Sequence, residues 1–140
     1  MDKVWFKKIN MKIEVSNGEL IDKYTILGIK LEKIKDEEKL SNVSNEYNIL
    51  EEFVQFLFNK YNFENYDLYS LYLELLKINN TLWDIEDKIR ECERRDTFGK
   101  EFVSLARLVY ITNDKRSDLK KQINIITNSS IIEEKSYHKY

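Results

Sequence analysis

Two long stretches of this chain repeat apolar residues at steps of four and three. The first runs Leu71, Leu75, Ile78, Leu82, Ile85, Ile89, Cys92. That spacing is a heptad seam, which holds one narrow face of a helix against a partner. It predicts a helix over 66–95. The second runs Phe102, Leu105, Val109, Thr112, Arg116, Leu119, Ile123, Ile126 and predicts a helix over 99–127. Asp96, Thr97 and Phe98 join the two, and so short a loop allows only an antiparallel return.

Upstream, Ser16-Asn17-Gly18-Glu19 reads as a capping box, in which serine and glutamate each satisfy a free amide at the helix start. Leu20, Tyr24, Leu27, Leu31 and Ile34 continue from it in heptad steps, which leaves Asp22, Lys23 and Lys30 to other faces. Gly28 lies beside that seam. A glycine inside a helix costs about 0.5–1 kcal/mol against alanine, so it is expected to serve close packing, or else a ligand. After the polar junction at Asp36-Glu37-Glu38-Lys39, the residues Leu40, Val43, Tyr47, Leu50, Val54, Leu57 and Tyr61 mark a helix to about Lys60. Phe53, Phe56 and Phe58 widen its apolar face, so it is either deeply packed or meets another subunit. Met11 to Val15 alternates like a short strand, and with no sheet to join it is equally an extended arm. The expectation is an all-α, antiparallel four-helix bundle with two long central helices. Residues 1–10 form a lead, 11–137 one helical domain, and 138–140 a frayed end, with Ile131 and Ile132 docking before it.

Composition sharpens this. The 140 residues contain no proline and three glycines, where average usage predicts about seven prolines, so little interrupts a helix. A net charge of −2 with 34% charged residues gives no basic excess to draw nucleic acid or anionic lipid. No apolar run is long enough for a membrane span and no secretory signal is present, which makes cytoplasm the default. Cys92, the one cysteine, sits on the seam and reads as a buried, inert thiol. His138 is the only histidine, next to a terminus, so histidine-based zinc sites and Ser-His or Cys-His nucleophiles are absent. No cofactor or metal motif is present.

The candidate chemistry lies on the central pair. Arg116 occupies the apolar seam, where a guanidinium must be paired or must reach water or a ligand. Beside the first seam, Asn79, Trp83, Glu86, Arg90 and Glu93 recur at helical spacing. The antiparallel return puts Arg90 and Glu93 near residues 102–107, and Trp83 and Glu86 near 109–113. A polar patch of Glu86, Arg90, Arg107, Asn113 and Arg116 is expected, against the plainer reading of an exposed charged face with one snorkelling arginine.

Four stretches, 14–23, 82–93, 105–116 and 132–137, together resemble an uncharacterised family of short helical proteins of bacteria and phages, one of the domain-of-unknown-function families. The resemblance covers about 11–137. It implies an association with glycan-building genes, no known activity, and a family pattern that includes Trp83, Glu86, Asp87, Arg90, Arg107, Asn113, Arg116 and the 133–137 tail.

Three functional readings follow. The first is a non-catalytic module that binds a partner protein or a small anionic, phosphate-bearing ligand, such as a nucleotide or nucleotide-sugar. Trp83, Glu86, Arg90, Arg107, Asn113 and Arg116 would form its site. The second is a structural or adaptor homo-oligomer, in which Arg116→Met would bring little loss or a gain in stability. The third is a metal-dependent all-helical nucleotide phosphohydrolase, with magnesium on Glu19 and Asp22 or on Asp84 and Asp87.

Overall fold

The computed structural model describes residues 8–63 and 66–140; most of the N-terminal lead, residues 1–7, lies outside the described residues. Four helices pack against one another: α1 Asn17–Lys33, α2 Glu37–Tyr61, α3 Leu68–Arg94 and α4 Lys100–Ile126. Between α2 and α3 the backbone makes a short antiparallel pairing, Asn62 opposite Asp67 and Phe63 opposite Tyr66. Residues 8–16 are neither helix nor strand. The strand alternative for 11–15 is therefore corrected: those residues are exposed and pair with no strand among the described residues, and the extended arm is what forms.

The α3–α4 hairpin is the spine. At 27 residues each, the two helices run about 40 Å. Each ends in the same device. Asp96 takes φ 54° after α3, with Thr97 N donating to Cys92 O at 2.9 Å; Asn128 takes φ 52° after α4, with Ser129 N donating to Asn124 O at 2.8 Å. These are left-handed helix stops that close the last open carbonyls, made with Asp and Asn where glycine is commoner.

Two apolar clusters fill the interior. Near the turn, Ile85, Cys92 and Leu105 are buried, with Ile89, Phe102 and Val109 packed against them, so among the described residues this cluster is built from the hairpin seam. The larger cluster joins all four helices: Ile21 and Tyr24 of α1, Val54 and Leu57 of α2, Leu68 and Leu75 of α3, Leu119 and Ile123 of α4. The expected seams supply most of these positions. Cys92 is a buried free thiol.

Helix α1 is buried on two sides. One stripe meets α2, where the Tyr24 and Tyr47 rings stack at 4.5 Å and their hydroxyls lie 2.7 Å apart. Burial, then the Tyr47 hydrogen bond, pushes the Tyr24 hydroxyl far up, so it stays protonated. The other stripe, Gly18, Asp22 and Thr25, is buried against α3 and α4. It escapes a reading based on apolar periodicity because none of its members is apolar. Gly28 is only half-buried, and a Cβ there would meet nothing nearer than the Tyr47 ring at 4.0 Å. The position that needs a glycine is Gly18, where a Cβ would collide with the Lys120 carbonyl oxygen of α4.

The C-terminal segment beyond α4 is neither helix nor strand. Tyr140 donates to Asp114 Oδ2 at 2.6 Å and meets the Tyr110 ring edge-on at 5.5 Å, so the last residues lie back along α4. That bond, with the nearby charge of Asp114, pushes the Tyr140 hydroxyl up to about 12. Ile131 is half-buried and Ile132 is exposed. The tail is anchored mainly through polar groups.

Candidate functional site

Arg116 turns inward, and its partner is Asp22. Its Nε donates to Asp22 Oδ1 at 2.9 Å and its Nη2 to Asp22 Oδ2 at 2.5 Å, a bidentate fork between α4 and α1. The carboxylate is 1% exposed and the guanidinium side chain 29%. Asn79 of α3 donates to the same Asp22 oxygen at 2.9 Å and to Thr25 Oγ1 at 2.7 Å, while Thr25 donates to the Asp22 carbonyl at 2.6 Å. Three helices are thus joined by one polar cluster, and among the described residues no buried side-chain nitrogen or oxygen is left without a hydrogen-bond partner. The Asp22 hydrogen bond outweighs burial and holds the Arg116 pKa above its ordinary value, so the guanidinium stays charged.

The expected partners of Arg116 are thereby revised. Asn113 is met, weakly, with Nη1 at 3.5 Å from Asn113 Oδ1. Glu86 makes no ion pair with Arg116 among the described residues; it lies 3.7 Å from Arg90, one turn along its own helix. Arg107 is exposed and does not join the cluster. The reason is angular. Nine residues separate Arg107 from Arg116, about two and a half turns of helix, so the two point to opposite sides of α4.

Above the Asp22–Arg116 pair lies an open groove of about 450 Å³, lined by Trp83, Glu86, Arg90, Asn113 and Arg116 together with Ile26, Asn79, Leu82 and Asp87. Five of the six sequence-chosen residues therefore share one surface, and Arg107 does not. Nε and Nη2 of Arg116 are committed to Asp22, which leaves Nη1 toward the groove. Arg90 is largely exposed at the rim. The formal charges of Glu86, Asp87 and the buried Asp22 outnumber those of Arg90 and Arg116, so the groove is not a simple cationic pocket.

A second polar chain continues from this cluster to the tail. Ser16 caps α1 by accepting from Glu19 N at 3.0 Å. The reciprocal half of the capping box is missing, because Glu19 instead meets Lys120 Nζ at 2.6 Å. Ser16 Oγ donates to Glu133 Oε1 at 2.5 Å, Asn124 donates to Glu133 Oε2 at 3.2 Å, and Gly18 N donates to Asn124 Oδ1 at 2.5 Å. Lys121 meets Glu134 at 3.0 Å. Apolar patterning gave no sign of Lys120, Asn124 and Glu133. The sequence signal for them is that Asn124 falls next to the α4 seam at Ile123.

Burial raises the Glu133 pKa, but the Ser16 hydrogen bond, the tail backbone, Lys120 and Asn124 together bring it below its ordinary 4.5. A depressed carboxylate stabilises the fold above its unfolded-state value and loses that contribution as pH falls through the folded value. The tail is therefore expected to stay anchored at neutral pH and to release only on acidification below the ordinary carboxylate range. Amide exchange of residues 131–137 checks this: protection should fall with acidification, and Glu133→Gln should show the lowered protection already at pH 7. Unchanged protection in the variant would contradict the anchoring role.

The pairs considered for magnesium look different in place. Glu19 and Asp22 each face a cation, Lys120 and Arg116. Among the described residues no three acidic, histidine or cysteine side chains converge as metal ligands would. No helix among them is long and apolar enough to cross a membrane.

No curated protein and no solved structure matches this chain. A family pattern does, over residues 11–140. The extended arm, the four helices and the tail that closes onto α1 and α4 are all within that span, and the chain belongs to the family of unknown function DUF6165.

Proposed function

We propose that the chain is a non-catalytic binding module whose ligand, a partner-protein segment or a small anionic molecule, occupies the groove over Asp22 and Arg116. The supporting observation is the groove itself: Trp83, Glu86, Arg90, Asn113 and Arg116 line one open surface, and Arg116 forms an ion-paired floor with the buried Asp22. Because the floor pair is neutral as a unit, a bare phosphate gains little there. The fitting occupant carries a phosphate or carboxylate for Arg90 and for Nη1 of Arg116, which is held only weakly by Asn113, donors for Glu86 and Asp87, and a flat or apolar part for Trp83. A nucleotide-sugar meets that description, and the glycan-gene association implied by the family resemblance agrees with it. The cytoplasm is the compartment that supplies such ligands.

The test is a thermal-shift panel of nucleotides, nucleotide-sugars and acidic peptides, followed by calorimetry on the hits. Trp83→Ala and Arg90→Ala are each expected to weaken binding about tenfold or more, with little change in unfolding of the free protein, since neither side chain is buried. Hits that bind both variants as well as the parent would overturn the reading.

A further inference from the structure

Helix α2 carries an apolar stripe that faces away from the interior. Ile49, Phe53 and Phe56 are 57%, 52% and 62% exposed and stand four and three residues apart, so they share one side of the helix. The stripe continues one heptad either way from Phe53, to Glu46 and to Lys60. Lys60 lies over the Phe56 ring, 5.7 Å from its centre, which keeps its ammonium at the end of the stripe. Glu46 is 2.8 Å from Lys23 of α1, with its side chain 44% exposed. Lys60 has no carboxylate partner among the described residues.

Acidic, apolar, aromatic, aromatic, basic is a self-complementary order. An interface about a two-fold axis joins a surface to its own copy. Turned end for end, the stripe sets Glu46 beside Lys60 of the partner subunit at both ends, with the aromatic residues stacked between. A parallel arrangement would instead oppose Lys60 to Lys60 and Glu46 to Glu46. We propose that α2 pairs with α2 of a second copy in an antiparallel homodimer centred near Phe53.

The size is consistent with a modest association. The three apolar side chains expose roughly 300 Å² per copy, given about 150–250 Å² for a whole aromatic side chain. From Glu46 to Lys60 the helix spans about 21 Å. With the flanking polar residues, the contact comes to roughly 1,000 Å² in total, the lower bound for a specific interface, so a dissociation constant in the micromolar range is expected. The groove lies on α1, α3 and α4, so this proposal stands or falls independently of the ligand reading.

Sedimentation equilibrium from about 1 µM to about 200 µM, a range that brackets such an affinity, tests it. The expected result is a concentration-dependent shift from the 17.0 kDa chain to twice that mass. Phe53→Ser should abolish the shift while helix content by circular dichroism is unchanged, because the side chain is outside the core. Lys60→Glu and Glu46→Lys should each weaken association roughly five- to tenfold by placing like charges together. The double exchange, Glu46→Lys with Lys60→Glu, should restore it to within about twofold of the parent. A chain that stays monomeric throughout overturns the proposal, as does a dimer indifferent to Phe53→Ser. Failure of the double exchange to recover what the single exchanges lose rejects the antiparallel arrangement.

Discussion

Replacing Arg116 with alanine is expected to destabilise the protein by about 3 kcal/mol, the lower end of what breaking a buried ion pair costs. The lower end applies because the guanidinium side chain is 29% exposed, whereas the Asp22 carboxylate it leaves behind is 1% exposed. After the substitution that carboxylate retains Asn79 Nδ2 at 2.9 Å as a donor, and the nearest other cation, Lys120, is 4.0 Å away. Arg116→Met is expected to cost nearly as much, because methionine refills the space but leaves the acid unpaired. A small cost would instead be expected only if Asp22 found another partner or took up a proton when Arg116 is lost. Asp22→Asn should cost less, about 1–2 kcal/mol. It forfeits a charge-assisted bond but leaves Arg116 able to reach water and Asn79 still donating. Combining Asp22→Asn with Arg116→Met should recover most of the loss, since no buried charge remains. Urea unfolding of the four proteins checks the order.

Gly18→Ala and Gly28→Ala are expected to move stability in opposite directions. At Gly28 a methyl group meets only the Tyr47 ring at 4.0 Å, an ordinary contact. The helix gain of about 0.5–1 kcal/mol should appear nearly in full. At Gly18 the same methyl would press on the Lys120 carbonyl and stand 2.9 Å from Asn124 Oδ1. A backbone carbonyl within a helix cannot swing aside, so α1 must lift from α4. Overpacking of that kind costs about 1–3 kcal/mol, and the lift also strains the Gly18–Asn124 and Ser16–Glu133 bonds. A net loss of about 1–2 kcal/mol is expected after the helix gain. Thermal unfolding checks it, and the tail amides of 131–137 should lose protection in Gly18→Ala but keep it in Gly28→Ala. Equal effects at the two glycines would contradict the close approach of α1 to α4.

These two positions mark how far the sequence was legible. The seams of α3 and α4 could be read directly, because Leu75, Ile85, Cys92, Leu105, Leu119 and Ile123 repeat at heptad spacing and are buried where that spacing puts them. An arginine on such a seam also had to find a partner, and it does. Which partner it finds was not legible. Asp22, Thr25 and Gly18 form a polar inner stripe on α1, and hydrophobic periodicity assigns polar residues to solvent. Only the depth of the crossing between α1 and the spine reverses that assignment. Arg107 was placed with its neighbours by proximity along the hairpin, when its angle about α4 carries it to the other side. The tail escaped for a related reason: Glu133 and Glu134 belong to no apolar repeat, yet Ser16, Asn124 and Lys121 meet them from the start of α1 and from α4.

The bidentate hold of Asp22 on the Arg116 guanidinium underlies both the stability effects and the proposed groove. Side-chain nitrogen NMR of the arginines observes that directly. Arg116 is predicted to give a separate, slowly exchanging Nε–H signal at neutral pH that collapses into the common arginine envelope in Asp22→Asn. An Arg116 Nε–H that exchanges as fast in the parent protein as those of Arg90 and Arg107 would contradict it.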